Sequence, residues 1–146
     1  MKILVTGTAG FIGFHLSRKL IERGDEVVGL DCINDYYDVN IKYDRLKLKG
    51  ILKSEIEYSK IIESKKHKNY RFIKLKLEDK EQINKLFQEE KFDVVCNLAA
   101  QAGVRYSIEK PYKYVDSNLI GFINILEACR NYNVSKLIYE IGRAHV

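Results

Sequence analysis

The sequence is short of the residues that mark special architectures: its 146 positions hold one proline, no tryptophan and three cysteines. Cys32, Cys96 and Cys129 are an odd number without CxxC spacing, so neither a disulfide framework nor a metal site is expected. Each stands where a small buried apolar residue would serve equally well. No window approaches the roughly 20 consecutive apolar residues that a membrane-crossing helix requires. The amino terminus, MKILVTG, enters a strand pattern at once, without the charged-then-apolar layout of a signal peptide. A cytoplasmic protein is the expectation. What is present, 46% hydrophobic and 31% charged residues, suits one ordinary globular domain and excludes a disordered or collagen-like chain.

Positive charge is in modest excess, with 25 Lys and Arg against 20 Asp and Glu, a formal net charge of +5. The excess is dispersed among acids, as in DKEQINKLFQEEK, which describes a solvated face and not a nucleic-acid or membrane footprint. An anionic small molecule would be partner enough.

Apolar runs of strand length recur at KILVTG (2–7), EVVGLD (26–31), RFIKLKL (71–77), DVVCNLA (93–99) and KLIYE (136–140). Uninterrupted stretches such as Ile3-Leu4-Val5 and Val94-Val95-Cys96 indicate burial on both faces, the habit of parallel sheets covered by helices. A first helix is expected from Phe11 to Gly24, turning Ile12, Leu16 and Leu20 toward the sheet. A second begins at Asp79, capped through Gln82, and buries Ile83, Leu86 and Phe87. A third spans 115–131, with Leu119, Ile123 and Leu126 inward. The interval 36–69 is too long for a simple crossover and is expected to hold two short amphipathic helices, near 42–50 and 53–64. Strand and helix alternate, so the class is α/β with right-handed crossovers.

Directly after the first strand comes TGTAGFIG, with Gly7, Gly10 and Gly13 leading into a helix. In a dinucleotide-binding unit the first glycine permits the tight turn, the second lets backbone approach a pyrophosphate, and the third lets helix and strand pack closely. Amides at Phe11 and Ile12 would then donate to phosphate oxygens in the positive field of the helix end. Asp31 closes the second strand, where an acid accepts hydrogen bonds from the adenosine ribose. That carboxylate would repel a 2′-phosphate, and its neighbours Cys32 and Ile33 offer no arginine to reverse the preference, so NAD is expected over NADP.

With TGTAGFIG, Asp31, NDYYDVNIKYDRL and NLAAQAGVRYSIEKPYKYVDSNLIGFINILEAC, the chain resembles the extended short-chain dehydrogenase/reductase family of NAD-dependent epimerases and dehydratases. Within it the resemblance is nearest to the UDP-glucuronate 4-epimerases, and it covers 1–139. The fold so implied is a Rossmann-type doubly wound parallel sheet, truncated after the fifth strand, with the helical insertion at 36–69. Carried over by position, Gly7, Gly10, Phe11, Ile12 and Gly13 match the pyrophosphate loop and Asp31 the ribose-binding acid. Leu98, Ala99 and Ala100 match the turn that lies along the cofactor, Ser117 and Asn118 a polar pair near it, and Leu77 a backbone contact at the adenine. Val104, Arg105 and Ser107 match the loop that approaches the UDP-sugar substrate, Arg105 being the cation there able to face a carboxylate. Cys32, Lys76 and Asn97 depart from residues common in the family at those places. The resemblance also implies a homodimer paired through a helix bundle, with the 115–131 helix as the candidate.

The implied chemistry is transient oxidation at the sugar C4 by NAD and return of the hydride to the other face. A tyrosine from Tyr-x-x-x-Lys removes the hydroxyl proton. That motif follows the fifth strand in the family, whereas Tyr132 and Lys136 precede it here, so no catalytic residue is assigned to this chain. The last residues, EIGRAHV, read as adapter-derived and not as natural sequence, which makes 140–146 a non-native tail and leaves the sugar-binding domain absent. Alternatives are a sugar-nucleotide 4,6-dehydratase of the same family and a non-catalytic NAD-sensing module. Resequencing the locus is expected to replace the tail with an open frame encoding a serine-rich turn and then Tyr-x-x-x-Lys; a stop codon after Val146 would contradict this.

Overall fold

A computed structural model describes residues 1–140. Among them six strands form one sheet in the order β3-β4-β2-β1-β5-β6. Chain order runs β1 (Lys2–Thr6), α1 (Phe11–Arg23), β2 (Glu26–Asp31), α2 (Val39–Leu48), β3 (Ile61–Glu63), β4 (Tyr70–Lys74) and α3 (Lys80–Glu90). It continues with β5 (Val94–Asn97), α4 (Val104–Glu109), α5 (Pro111–Tyr114), a π-helical turn (Val115–Ile120), α6 (Gly121–Asn131) and β6 (Lys136–Tyr139). The five strands read from the apolar runs are all present and mutually parallel. The order reverses at β1, which lies between β2 and β5, and that reversal opens a crevice at the carboxyl ends.

Burial follows from this double covering. Alternate residues of β1 point to opposite layers: Ile3 and Val5 pack with Leu20 and Ile21 of α1 and Leu46 of α2, while Leu4 packs with Ile83 and Phe87 of α3 and Ile125 of α6. Apolar side chains on both faces are what a parallel strand between helix layers requires. Helix ends also follow the local chemistry. Gly24 closes α1 in the left-handed conformation at φ 95°, its amide donating to the Ile21 carbonyl at 3.0 Å. Asp79 caps α3, accepting from the Gln82 amide at 3.3 Å.

Three expectations are corrected. The interval 36–69 holds one α-helix, α2, a 3-10 turn at Lys53–Glu55, and then the edge strand β3 in place of a second helix. Ile61 and Ile62 pair antiparallel with Ile73 and Phe72, and Ser59 at φ 60° breaks any helix running into them. β-Branched side chains beside an open sheet edge gain more from the ladder than from a helical turn. In α1 Leu20 is buried and Leu16 packs partly buried on the same core, together with the buried Gly13, Ser17 and Ile21, whereas Ile12 is half exposed.

The third correction is in α6 and the turn before it, where Leu119, Ile123 and Leu126 face outward, 59%, 56% and 40% exposed. The inward face carries Gly121, Asn124, Ile125 and Ala128. A β-carbon on Gly121 would stand 2.7 Å from that of Leu77, so the helix lies close to the sheet by its small residues and its bulky ones are turned away. Asn124 serves this approach by donating from Nδ2 to the Leu77 carbonyl at 2.8 Å. Asn124→Ala is expected to cost about 1–3 kcal/mol in urea unfolding, because it leaves that buried carbonyl without its donor; an unchanged midpoint would contradict this.

Candidate dinucleotide-binding site

The loop after β1 is shaped by what its glycines lack. Gly7 takes φ 69°, and a side chain there would stand 3.0 Å from the backbone of Leu98 and Ala99 in the turn after β5. At Gly13 a β-carbon would fall 2.1 Å from the Gly7 carbonyl oxygen. The first glycine thus seats one loop on another and the third seats α1 on the strand end. Gly10, the N-cap of α1, offers no side-chain cap, and no acid stands in the first turn. The partial positive charge of that helix end is therefore left for a ligand.

It faces a cavity of about 1040 Å³ at the carboxyl ends of β1, β5 and β6. Gly7, Gly10, Phe11, Ile12 and Gly13 line it on one side, and Leu98, Ala99, Ala100, Ser117 and Asn118 on the other. Buried polar contacts fix the second wall. Thr6 Oγ1, at the end of β1, donates to Asn97 Oδ1 at 2.6 Å and accepts from the amides of Leu98 and Ala99 at 3.1 and 3.0 Å. The Asn118 amide is engaged by the loop after β5, accepting from the Gln101 amide at 2.7 Å and donating to its carbonyl at 3.0 Å. Asn118 thus shapes the wall as well as lining it.

Asp31 is buried behind the cavity and is well supplied with donors. Its carboxylate accepts from the amides of Ala9 at 3.0 Å and Ile33 at 2.8 Å, and from Lys42 Nζ at 3.3 Å. The cations missing from its sequence neighbours arrive through the fold. Lys42 and Arg45, one turn apart on α2, both line the cavity. Arg45 also donates to the Ala9 carbonyl at 3.1 Å, with its guanidinium 5.9 Å from the Phe11 ring centre. Sequence reasoning missed these two. The signal was there in their three-residue spacing, which puts both on one face of a helix, but nothing local placed that face over the glycine loop.

Besides Asp31, four expected residues stand outside the cavity lining. Leu77 is buried, its carbonyl taken by Asn124. Val104, Arg105 and Ser107 lie on α4, with Val104 78% exposed and the Ser107 hydroxyl donating to the Val104 carbonyl. Their segment is held by the Tyr114 hydroxyl on the Gly103 carbonyl and by the Tyr36 and Tyr106 rings, 4.7 Å apart. Tyr132 and Lys136 sit at the amino end of β6, away from the cavity, with Tyr132 packed against Phe87. Burial pushes the thiols of Cys96 and Cys129 up, Cys129 to about 11, so neither is poised to react at neutral pH. Of the 140–146 tail only Glu140 is described; 141–146 lie outside the described residues.

A parallel sheet whose glycine loop aims a bare helix end into a crevice at the strand-order reversal defines a dinucleotide-binding domain of Rossmann type. The chain belongs to the family described as GDP-mannose 4,6 dehydratase, which matches residues 4–144. Protein CapI of Staphylococcus aureus is 52% identical over 139 residues, which are 95% of this chain and 37% of that protein. UDP-glucuronate 4-epimerase 4 of Arabidopsis thaliana is 44% identical over 131 residues, 90% of this chain and 26% of the relative. Among solved structures, the Thermus thermophilus UDP-glucose 4-epimerase in complex with NAD superposes with a TM-score of 0.69 at 36% identity, covering 94% of this chain and 36% of that one. The Thermotoga maritima UDP-glucose 4-epimerase with UDP-glucose gives 0.71 at 32%, covering 95% and 37%. The chain thus spans between about a quarter and little more than a third of these proteins.

Gly13→Ala is expected to destabilise by more than the roughly 1–3 kcal/mol of ordinary overpacking, since the obstructing atom is backbone and cannot rotate away. Chemical denaturation beside the unsubstituted protein measures it, and equal stability would show that the loop gives way freely.

Proposed function

We propose that this chain is the NAD-binding half of a cytoplasmic nucleotide-sugar 4-epimerase that interconverts UDP-glucuronate and UDP-galacturonate. The observation that carries this is the uncapped amino end of α1 facing the cavity, with Gly7 and Gly13 too closely packed to be anything but glycine. The donor set fits a dinucleotide. Amides at Phe11 and Ile12 suit a pyrophosphate, Asp31 with Lys42 suits a ribose diol, and the small side chains of Ala99 and Ala100 leave room for a flat ring system. The choice of UDP-glucuronate over other sugars is supported by the epimerase relatives of that name.

Bound NAD would supply reversible hydride acceptance at the sugar C4. The residues of this chain bind and orient: the α1 end holds the diphosphate and Asp31 sets the ribose. Ser117 would offer a hydroxyl to the cofactor, and Leu77 a backbone contact at the adenine edge. Val104, Arg105 and Ser107 would meet the sugar beyond the cavity's edge, Arg105 being the group to pair with a uronate carboxylate. Proton transfer at the C4 hydroxyl falls to a tyrosine carried by following sequence, so the chain alone is expected not to turn over substrate. In this reading 1–139 form the incomplete cofactor domain and 140–146 a non-native tail. Leu119, Ile123 and Leu126 would pair with a second copy in a homodimer, and the exposed Ile138 and Tyr139 of β6 would receive further strands. A 4,6-dehydratase is the second reading, favoured by the description of the matching family.

Titration with NAD is expected to give a saturable signal, weakened by about tenfold or more on Asp31→Arg, a loss of roughly 1.4 kcal/mol per factor of ten. No saturation, or an unchanged affinity in the charge-reversed variant, would overturn the reading. Chromatography of UDP-glucuronate incubated with the extended protein then separates epimer from dehydrated product.

A further inference from the structure

Behind the glycine loop, on the side away from the cavity, a lysine is fully enclosed. Lys49 follows the last turn of α2, is 2% exposed, and extends its ammonium into the space between α1, β2 and β4. All three of its protons are used: Nζ donates to Ser17 Oγ at 2.7 Å, to Thr8 Oγ1 at 3.0 Å and to the Thr8 carbonyl at 3.2 Å. These acceptors are neutral oxygens. The Tyr70 and Phe14 rings lie 4.7 and 5.5 Å from the nitrogen, and the Tyr70 hydroxyl stands 3.4 Å from Thr8 Oγ1. An ammonium in such a place is costly to charge, because neutral dipoles replace water without a bonded carboxylate.

Two of the three bonds end on Thr8, which stands between Gly7 and the start of α1. The cation is therefore built into the back of the surface that would receive a diphosphate. We propose that Lys49 is a positioning residue for this loop: its buried ammonium backs the diphosphate site with positive charge, so that NAD binding draws a proton from solvent onto Nζ and weakens as pH rises. The inference rests on the NAD-binding reading above and adds to it a coupled proton. The physical link is Coulombic attraction across a region with little water to screen it.

The direction is set by what faces Nζ. Desolvation brings Lys49 down to about 7, and the field of Asp31 on β2 opposes it in part. Tyr70 on β4 is pushed up by its own burial and stays neutral. Arg18 and Glu22 of α1 and His67 of the turn before β4 line a groove of about 230 Å³ outside the lysine. Folding and binding then respond oppositely to pH. The unfolded chain holds the Lys49 proton up to its ordinary value of 10.5 while the folded chain releases it from about 7, so this lysine makes the fold more stable as pH rises between those limits. A bound diphosphate favours the charged form, so affinity falls over the lower part of that same range. A lysine that only braced the loop would leave the proton count of binding at zero.

The experiment is calorimetric titration of the protein with NAD from about pH 6 to about pH 8.5, each point in two buffers of different ionisation enthalpy. Affinity is expected to fall by at least about threefold across this range, with fractional proton uptake visible as a buffer-dependent heat. Lys49→Arg, charged throughout, is expected to bind NAD with a flat profile and no uptake, and His67→Asn to retain both the slope and the uptake. Lys49→Met, if it folds, binds weakly at every pH. A slope that survives in Lys49→Arg, or that disappears in His67→Asn, overturns the inference, as does pH-independent binding by the unsubstituted protein. Absence of NAD binding at every pH in every variant would instead remove the cofactor reading on which it stands.

Discussion

The contact on which the rest depends is the one between the third glycine and the first. Gly13 brings the backbone of α1 against the Gly7 carbonyl at a distance no side chain would allow, and Gly7 in turn rests on the backbone of Leu98 and Ala99. A helix end, a strand end and a second strand's turn are thereby stacked within one small volume. Everything the site offers, from the bare amides of the helix to the flat wall of small residues, follows from that closeness. Without it the same residues would be a turn and two loops.

Charge is distributed around this point with economy. Asp31 supplies the acid at the second strand's end, yet its carboxylate is already stabilised by two backbone amides and by Lys42. It is thus a prepared acceptor whose orientation is set before any ligand arrives. Arg45 reaches the Ala9 carbonyl from the rim and Lys49 reaches Thr8 from behind, so α2 and the residue that caps it deliver cations to two sides of one loop. The net positive charge of the chain, dispersed in sequence, has a local concentration here that the composition could not disclose.

The apolar face left over by α6 belongs to the same logic. A helix that must lie close to the sheet presents small residues and an asparagine to it, and its large side chains are displaced to the outside, where they suit another surface. Among the described residues the sheet is likewise open along β6. Both features accord with a chain that spans little more than a third of its relatives.

Much of this could be read directly. Local rules act over a few residues, so the five parallel strands, the glycine turn with the helix start at Phe11 and Ile12, and the caps at Asp79 and Gly24 were legible in the pattern of side chains alone, whereas Leu98, Ala99, Ala100, Ser117 and Asn118 on the second wall came from the family resemblance. What could not be read depends on distance in space. Hydrophobicity at helical spacing showed that α6 has a bulky stripe but not which way it turns, since that is decided by how near Leu77 comes. The edge strand at Ile61–Glu63 exists because β4 offers it a ladder, and α4 stands clear of the cavity because Gly103 and the tyrosines around it hold it there. Sequence by itself determined which chemistry is available at the strand ends. Only tertiary packing decided that Lys42, Arg45 and Lys49 gather around one loop, because the relative placement of two helices is set by their shared contacts with a sheet and not by the residues between them.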